Sequence, residues 1–187
     1  MFNPLGVLVR SSVALAVLAL GGPAFAQPAF GRGPQERPGG AAVFVAPNGF
    51  VLTVTSATTT SGSTTTTSYE LSALNATGGS AWSYNAPNRI QHLVQPANLV
   101  AFSFETAATG TTPASATIVA VSLASGSKVW SQSFDGAVTM LAANGTGLIA
   151  VVATAVPPTG NARHGSITRT LYSLDAAGNT VWKSTLD

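Results

Sequence analysis

The sequence contains no cysteine at all. That absence excludes disulfides and thiolate metal centres, and with them any lipid attached through an N-terminal cysteine. Charge is nearly as scarce. Eight Lys and Arg with six Asp and Glu amount to 7% of 187 residues, and they stand singly along the chain. A nucleic-acid partner needs a basic stripe, and there is none. The two histidines and the scattered acids show no metal-ligand spacing. No uninterrupted apolar run reaches the ~20 residues that a membrane-spanning helix requires.

What is present begins with an export signature. Arg10 precedes an apolar run from Val13 to Leu20, which Gly21, Gly22 and Pro23 break, and Ala24-Phe25-Ala26 then offers small residues at both recognition positions. This order predicts a secretory signal peptide over 1–26, cleaved before Gln27. No twin-Arg pair precedes the run, so the general secretion route is expected, to the periplasm or the cell exterior, with no membrane anchor after cleavage. Residues 27–40, QPAFGRGPQERPGG, are rich in Pro and Gly and read as a flexible leader. Past Ala26, seven Lys and Arg face six Asp and Glu, leaving +1. The basic sequence pI of about 9.4 therefore reflects scarce acids. Ser, Thr, Ala, Val and Gly dominate, which favours strands and turns.

Three segments read as copies of one unit: YELSALNATGGSAWSYN, TIVAVSLASGSKVWSQSF and RTLYSLDAAGNTVWKSTL. Trp82, Trp130 and Trp182 lie 48 and 52 residues apart, and Gly78, Gly126 and Gly178 each precede their Trp by four. Matching strands lie upstream: GFVLTV from Gly49, NLVAFS from Asn98 and GLIAVV from Gly147, with AAVFVA, QHLVQP and VTMLAA before them. Each unit thus reads as four strands. Such units repeating every ~40 to 50 residues are the signature of β-propeller blades. A sandwich also has many short strands, but it does not place the same glycine and tryptophan in register. The expected fold is all-β, with three four-stranded antiparallel blades at about 41–85, 90–135 and 137–186 forming a partial, open propeller.

The third strands support this choice. Leu71 and Ala73, Ile118 and Ala120, and Leu171 and Ser173 fall on one face, while Leu74, Val121 and Leu174 fall on the other. Both faces carry apolar groups, as a sheet between two neighbouring sheets requires. Ala73, Ala120 and Ser173 are small at the equivalent place, which suits close approach of the adjacent blade. Asn75, Ser122 and Asp175 are placed to accept backbone N–H groups at the turns, and glycine supplies positive φ. The indoles of Trp82, Trp130 and Trp182 are expected to pack between blades rather than to form an aromatic cage.

These hairpins resemble the repeat of the pyrroloquinoline-quinone-like, or quinoprotein-like, β-propellers, whose motif runs Ala-Leu-Asp-Ala-x-Thr-Gly-Lys-x-x-Trp. AVSLASGSKVW (Ala120 to Trp130) has the full motif length, with Ser122 and Ser127 in place of the usual Asp and Lys; ALNATGGSAW and SLDAAGNTVW are one residue shorter but keep Gly and Trp. The resemblance covers residues from about 41 to 187. It implies a propeller architecture and leaves the task open, because this repeat serves many. Quinone-dependent dehydrogenases of the family bind cofactor and calcium on the propeller axis, but their adjacent cysteine pair and catalytic aspartate setting have no counterpart here. Non-enzymatic members include outer-membrane assembly lipoproteins that act as periplasmic scaffolds, and the lipobox cysteine these need is missing.

Three blades in an open arc leave two blade faces uncovered. The sequence is therefore expected to belong with further blades of a longer propeller, or to pair with a second chain in a ring of six. Candidate chemistry lies in the hairpins between second and third strands: ATTTSGSTTTTS (57–68), TAATGTTPAS (106–115) and AVPPTGNARHGS (155–166). The first two offer hydroxyls suited to sugars or a polar partner, or read simply as solvated hairpin ends. Arg163 and His164 form the only adjacent basic pair, either a binding loop for an anionic group or an exposed pair. His92, near Arg89, stands alone. Composition leaves Ser-His-Asp catalysis open, but no Gly-x-Ser-x-Gly elbow occurs. The reading favours an exported binding or protein-interaction scaffold with no catalytic residue, cofactor or metal. The alternatives are the N-terminal blades of a quinone-dependent dehydrogenase and a carbohydrate-binding surface module.

Overall fold

A computed structural model describes residues 42–46, 49–109, 113–156 and 165–186. The signal segment, the leader and the Arg163-His164 pair lie outside the described residues. The described chain is all strand and turn. Twelve strands form three four-stranded antiparallel sheets, each of four consecutive strands in chain order. The first blade holds β1 (Ala42–Val45), β2 (Val51–Ser61), β3 (Thr64–Leu74) and β4 (Ser80–Ala86). The second holds β5 (Ile90–Val94), β6 (Leu99–Thr106), β7 (Ser115–Ser122) and β8 (Lys128–Asp135). The third holds β9 (Ala137–Asn144), β10 (Gly147–Val156), β11 (Ser166–Leu174) and β12 (Thr180–Leu186).

The blades stack through their faces. Period-two alternation sends Leu52, Leu71, Ala73 and Trp82 of the first blade toward Val100, Phe102, Phe104 and Val119 of the second, in one buried cluster. The opposite face of the second blade, with Ala101, Ala116, Ile118 and Ala120, meets Val138, Leu148, Ala150 and Val152 of the third. The middle strands of the second blade are accordingly apolar at almost every position, and five consecutive residues of β6, Val100 to Phe104, are buried. Each interface also carries one edge-to-face aromatic pair between a fourth strand and the next blade. Tyr84 and Phe102 have ring centroids 5.4 Å apart, and Phe134 and Tyr172 have theirs 5.0 Å apart.

The turns between third and fourth strands come in two forms. In the first and third blades a carboxylate or amide oxygen caps the turn. Asn75 Oδ1 accepts from the N–H of Thr77 and Gly79, and Asp175 Oδ1 accepts from that of Ala177 and Asn179. Asp175 is held below its usual carboxylate pKa, first by the Asn179 side-chain amide and then by the Asn179 backbone N–H. The second turn is one residue longer and differs from expectation. Ser122 contributes backbone groups, its carbonyl accepting from Gly126 N–H at 2.8 Å, and Ser125 Oγ accepts from Ser127 N–H. The extra residue moves the start of the turn out of reach of a short serine side chain.

A register shift sits beside every tryptophan. Ala73 pairs with Trp82 but Leu74 with Ser80; Ala120 with Trp130 but Val121 with Lys128; Ser173 with Trp182 but Leu174 with Thr180. Ala81, Val129 and Val181 are the extra residues of three equivalent bulges. A bulge bends its strand and re-aims the neighbouring side chain, and here it accompanies the indole each time.

Candidate functional site

The surfaces with potential for binding are the blade faces, and they are organised by one recurring contact. The indole of Trp82 lies on the turn of the second blade. A Cβ placed on Gly126 would come within 2.6 Å of its ring, and its Nε1–H donates to the Leu123 carbonyl at 2.7 Å. Trp130 repeats this one blade later. A Cβ on Gly178 would stand 2.6 Å from its ring, and Nε1–H donates to the Ala176 carbonyl at 3.0 Å. Gly126 and Gly178 have φ of +69° and +84°, so glycine is required both for backbone conformation and for the ring to lie flat on the turn. Burying such an indole removes about 150–250 Å² from water, on the order of 5 kcal/mol before entropy is charged.

The contact does not recur at the ends of the described structure. Gly78, at φ +79°, would place a Cβ in open space, and its turn is exposed. Trp182 is 46% exposed, against 7% for Trp82. Among the described residues, Trp82 and Trp130 lie against a following blade and Trp182 is exposed. Around it the third blade presents Met140, Ile167 and Leu186, all exposed, with Ala142, Ile149 and Leu171 on the same face by register. Single exposed apolar residues are ordinary; an adjoining group on one sheet face marks a docking surface. Arg169 is the charged residue of that face among the described residues, level with Leu186.

The outer face of the first blade has a different character. Val43 and Val45 are exposed, with Val51 and Leu74 beside them in register, but Thr53, Thr55, Glu70 and Ser72 occupy the rest. Ser72 Oγ donates to Glu70 Oε1 at 2.7 Å.

Two other sites carry polar chemistry. His92 Nδ1 lies 2.9 Å from Ser103 Oγ, and Glu105 acts on the ring through space. This is the nearest approach to a Ser-His-acid set among the described residues, and it is unsuited to nucleophilic catalysis. Ser103 is 1% exposed, deep in β6. Burial lowers the His92 pKa, with the Thr139 backbone hydrogen bond and Glu105 opposing. His92 and Ser103 both belong to the second blade, and the Thr139 backbone hydrogen bond ties the imidazole to the third.

The Ser/Thr-rich segment 57–68 is a regular ribbon rather than a loose tip. β2 and β3 stay paired to Ser61 and Thr64 around a turn at Gly62, φ +62°. Threonines face each other across it, Thr58 with Thr67 at 3.2 Å and Thr60 with Thr65 at 3.3 Å, so these hydroxyls already have partners. Among the described residues no three of His, Cys, Asp and Glu come together, and no helix is long and apolar enough to cross a membrane.

Sequence reasoning found the three tryptophans and glycines but not which meets which, nor the bulges. The constant four-residue step from Gly to Trp was the available signal. No protein-family model matches the chain, and no curated protein matches it. Among solved structures it is similar to BamB from Moraxella catarrhalis, at 17% identity and a TM-score of 0.38. The match covers 70% of this chain and 33% of that one, so the chain spans a third of that protein's length.

Proposed function

We propose that this chain is an exported, non-catalytic propeller unit of the pyrroloquinoline-quinone-like kind that serves as a protein-interaction scaffold. The observation that carries the reading is the Trp182 face. A sheet surface of the type that is covered twice within the chain is here exposed, with an indole at 46% exposure and a group of aliphatic side chains around it. Such a surface gains by taking a protein partner, since burying it recovers the area that Trp82 and Trp130 already bury.

Further support comes from where the polar groups lie. Among the described residues the His92–Ser103 pair is enclosed between sheets, and across the ribbon Thr58 pairs with Thr67 and Thr60 with Thr65. A photoreactive residue at Ile167 in expressing cells tests the reading. Adducts with protein are expected from Ile167 and not from a control at Ser63 on the ribbon turn. Quinone-dependent dehydrogenation by the purified chain, with quinone and calcium added, would overturn it. N-terminal sequencing of the secreted chain is expected to start at Gln27.

A further inference from the structure

We propose that the Trp182 face docks on the outer face of the first blade of a second copy of this chain, with Trp182 resting on that copy's Gly78 turn. The proposal names the partner in the scaffold reading and rests on that reading for the Trp182 face being a docking surface.

The first argument is continuity with the contacts inside the chain. Twice an indole lies on the glycine turn of the next blade and donates to a carbonyl of that turn. The chain carries one further member of each kind, Trp182 at one end of the stack and Gly78 at the other. The Gly78 turn is built like the Gly178 turn that receives Trp130. Asn75 N–H donates to the Gly79 carbonyl at 2.9 Å, as Asp175 N–H donates to that of Asn179 at 2.9 Å. Gly78 N–H donates to Asn75 and Gly178 N–H to Asp175, and the two glycines have φ of +79° and +84°. Ala76 thus stands where Ala176 stands, and its carbonyl is the acceptor for Trp182 Nε1–H. Glycine at 78 leaves the surface of the turn flat, with nothing within 4 Å of a Cβ position.

The second argument is charge. Arg169 lies on the Trp182 face, four residues before Ser173, the register partner of Trp182. Glu70 lies on the outer face of the first blade, three residues before Ala73, the partner of Trp82. Arg169 matches Tyr69 in the repeat, and Glu70 matches Thr117. Tyr69 packs into the cluster that the first blade makes with the second blade's face, and Thr117 belongs to that face. Stacking the third blade on a first blade in the same way brings the guanidinium and the carboxylate to the same level. Among the described residues each of the two faces carries one charge, of opposite sign, and that is what a self-complementary pair requires.

The contact is head-to-tail, and two copies complete a ring of six blades, three from each, when the rotation closes. Thr53 and Ser72 take the places that Phe102 and Val119 hold in the second blade, so the joint between copies is more polar than either joint within the chain. A reversible dimer follows.

Light scattering and sedimentation equilibrium on the purified chain across a dilution series test this. A dimer is expected, with Trp182 emission shifting to the red as it dissociates. Trp182→Ala weakens the dimer at least about tenfold, as loss of a buried aromatic anchor does. Arg169→Glu and Glu70→Arg each weaken it, and the double reversal restores it. These two residues sit outside the buried clusters, so circular dichroism and melting of the variants stay as in the parent. A Trp182→Ala chain mixed with a Gly78→Val chain forms one sound contact and yields a heterodimer, where neither forms a homodimer. A monomer at every concentration, or a dimer indifferent to Trp182→Ala and to both charge reversals, overturns the proposal. If the chain is monomeric while Ile167 still cross-links another protein, the scaffold reading stands without the second copy; if neither occurs, both fall.

Discussion

The two interfaces within the chain solve one packing problem with different means. Between the first and second blades large side chains fill the space: Leu52, Leu71, Phe102 and Phe104 surround a Trp82 that is 7% exposed. Between the second and third blades four of the eleven buried residues are alanines, at 101, 116, 120 and 150, and Trp130 is only half-buried, with a longer bond to its carbonyl. Small side chains let backbones approach but bury less area, and the second interface adds a hydrogen bond between the His92 ring and the Thr139 backbone. The shared element is the indole on the glycine turn; what surrounds it sets the strength.

That contrast can be broken most forcefully at Phe102. Phe102→Ala leaves a cavity in the better-filled interface and is expected to cost about 3–5 kcal/mol in chemical denaturation, against about 0.5–1.5 for Ile118→Val in the other. Equal losses would remove the distinction.

The glycine turns offer a sharper test. Gly126→Val forces a side chain into the Trp82 ring and strains φ, for an expected loss of about 2–4 kcal/mol. Gly78→Val suffers the strain alone, about 1–2 kcal/mol, because no ring lies over it in the single chain. The difference between the two reads the indole contact directly.

Trp82→Phe and Trp130→Phe compare the indole bonds. The first strips a partner from a carbonyl in a buried setting and is expected to cost about 1–3 kcal/mol; the second, at a more exposed joint, costs less. The smallest effect is in pH. The His92 pKa in the folded chain lies below the 6.5 of the free side chain. Between those values the unfolded chain binds more protons, so stability falls as pH drops through 6.5 and is intact above it. Melting temperatures at pH 5 and 7 show the slope, and His92→Gln flattens it.

Much of the fold was legible because repetition is itself a structural statement. Four strand patterns recurring three times, with Gly and Trp in step, leave little besides stacked four-stranded sheets. The bulges at Ala81, Val129 and Val181 were not legible, since no residue type demands a bulge. The ribbon at 57–68 looked like loop because threonine and serine are polar, yet β-branched threonine pairs well across strands when a two-residue turn fixes the register. His92 looked isolated because its partner Ser103 lies eleven residues away, on the neighbouring strand.

The sequence alone determined strand order, turn positions and the recurrence of the indole, because alternation and glycine placement are local consequences of covalent geometry. Only the tertiary structure decided that Trp82 and Trp130 are covered while Trp182 faces outward, and that Glu70 and Arg169 sit on opposite uncovered faces. Which blade stands over a given face depends on its neighbours in space, and three chemically identical residues acquire different roles from that neighbourhood alone.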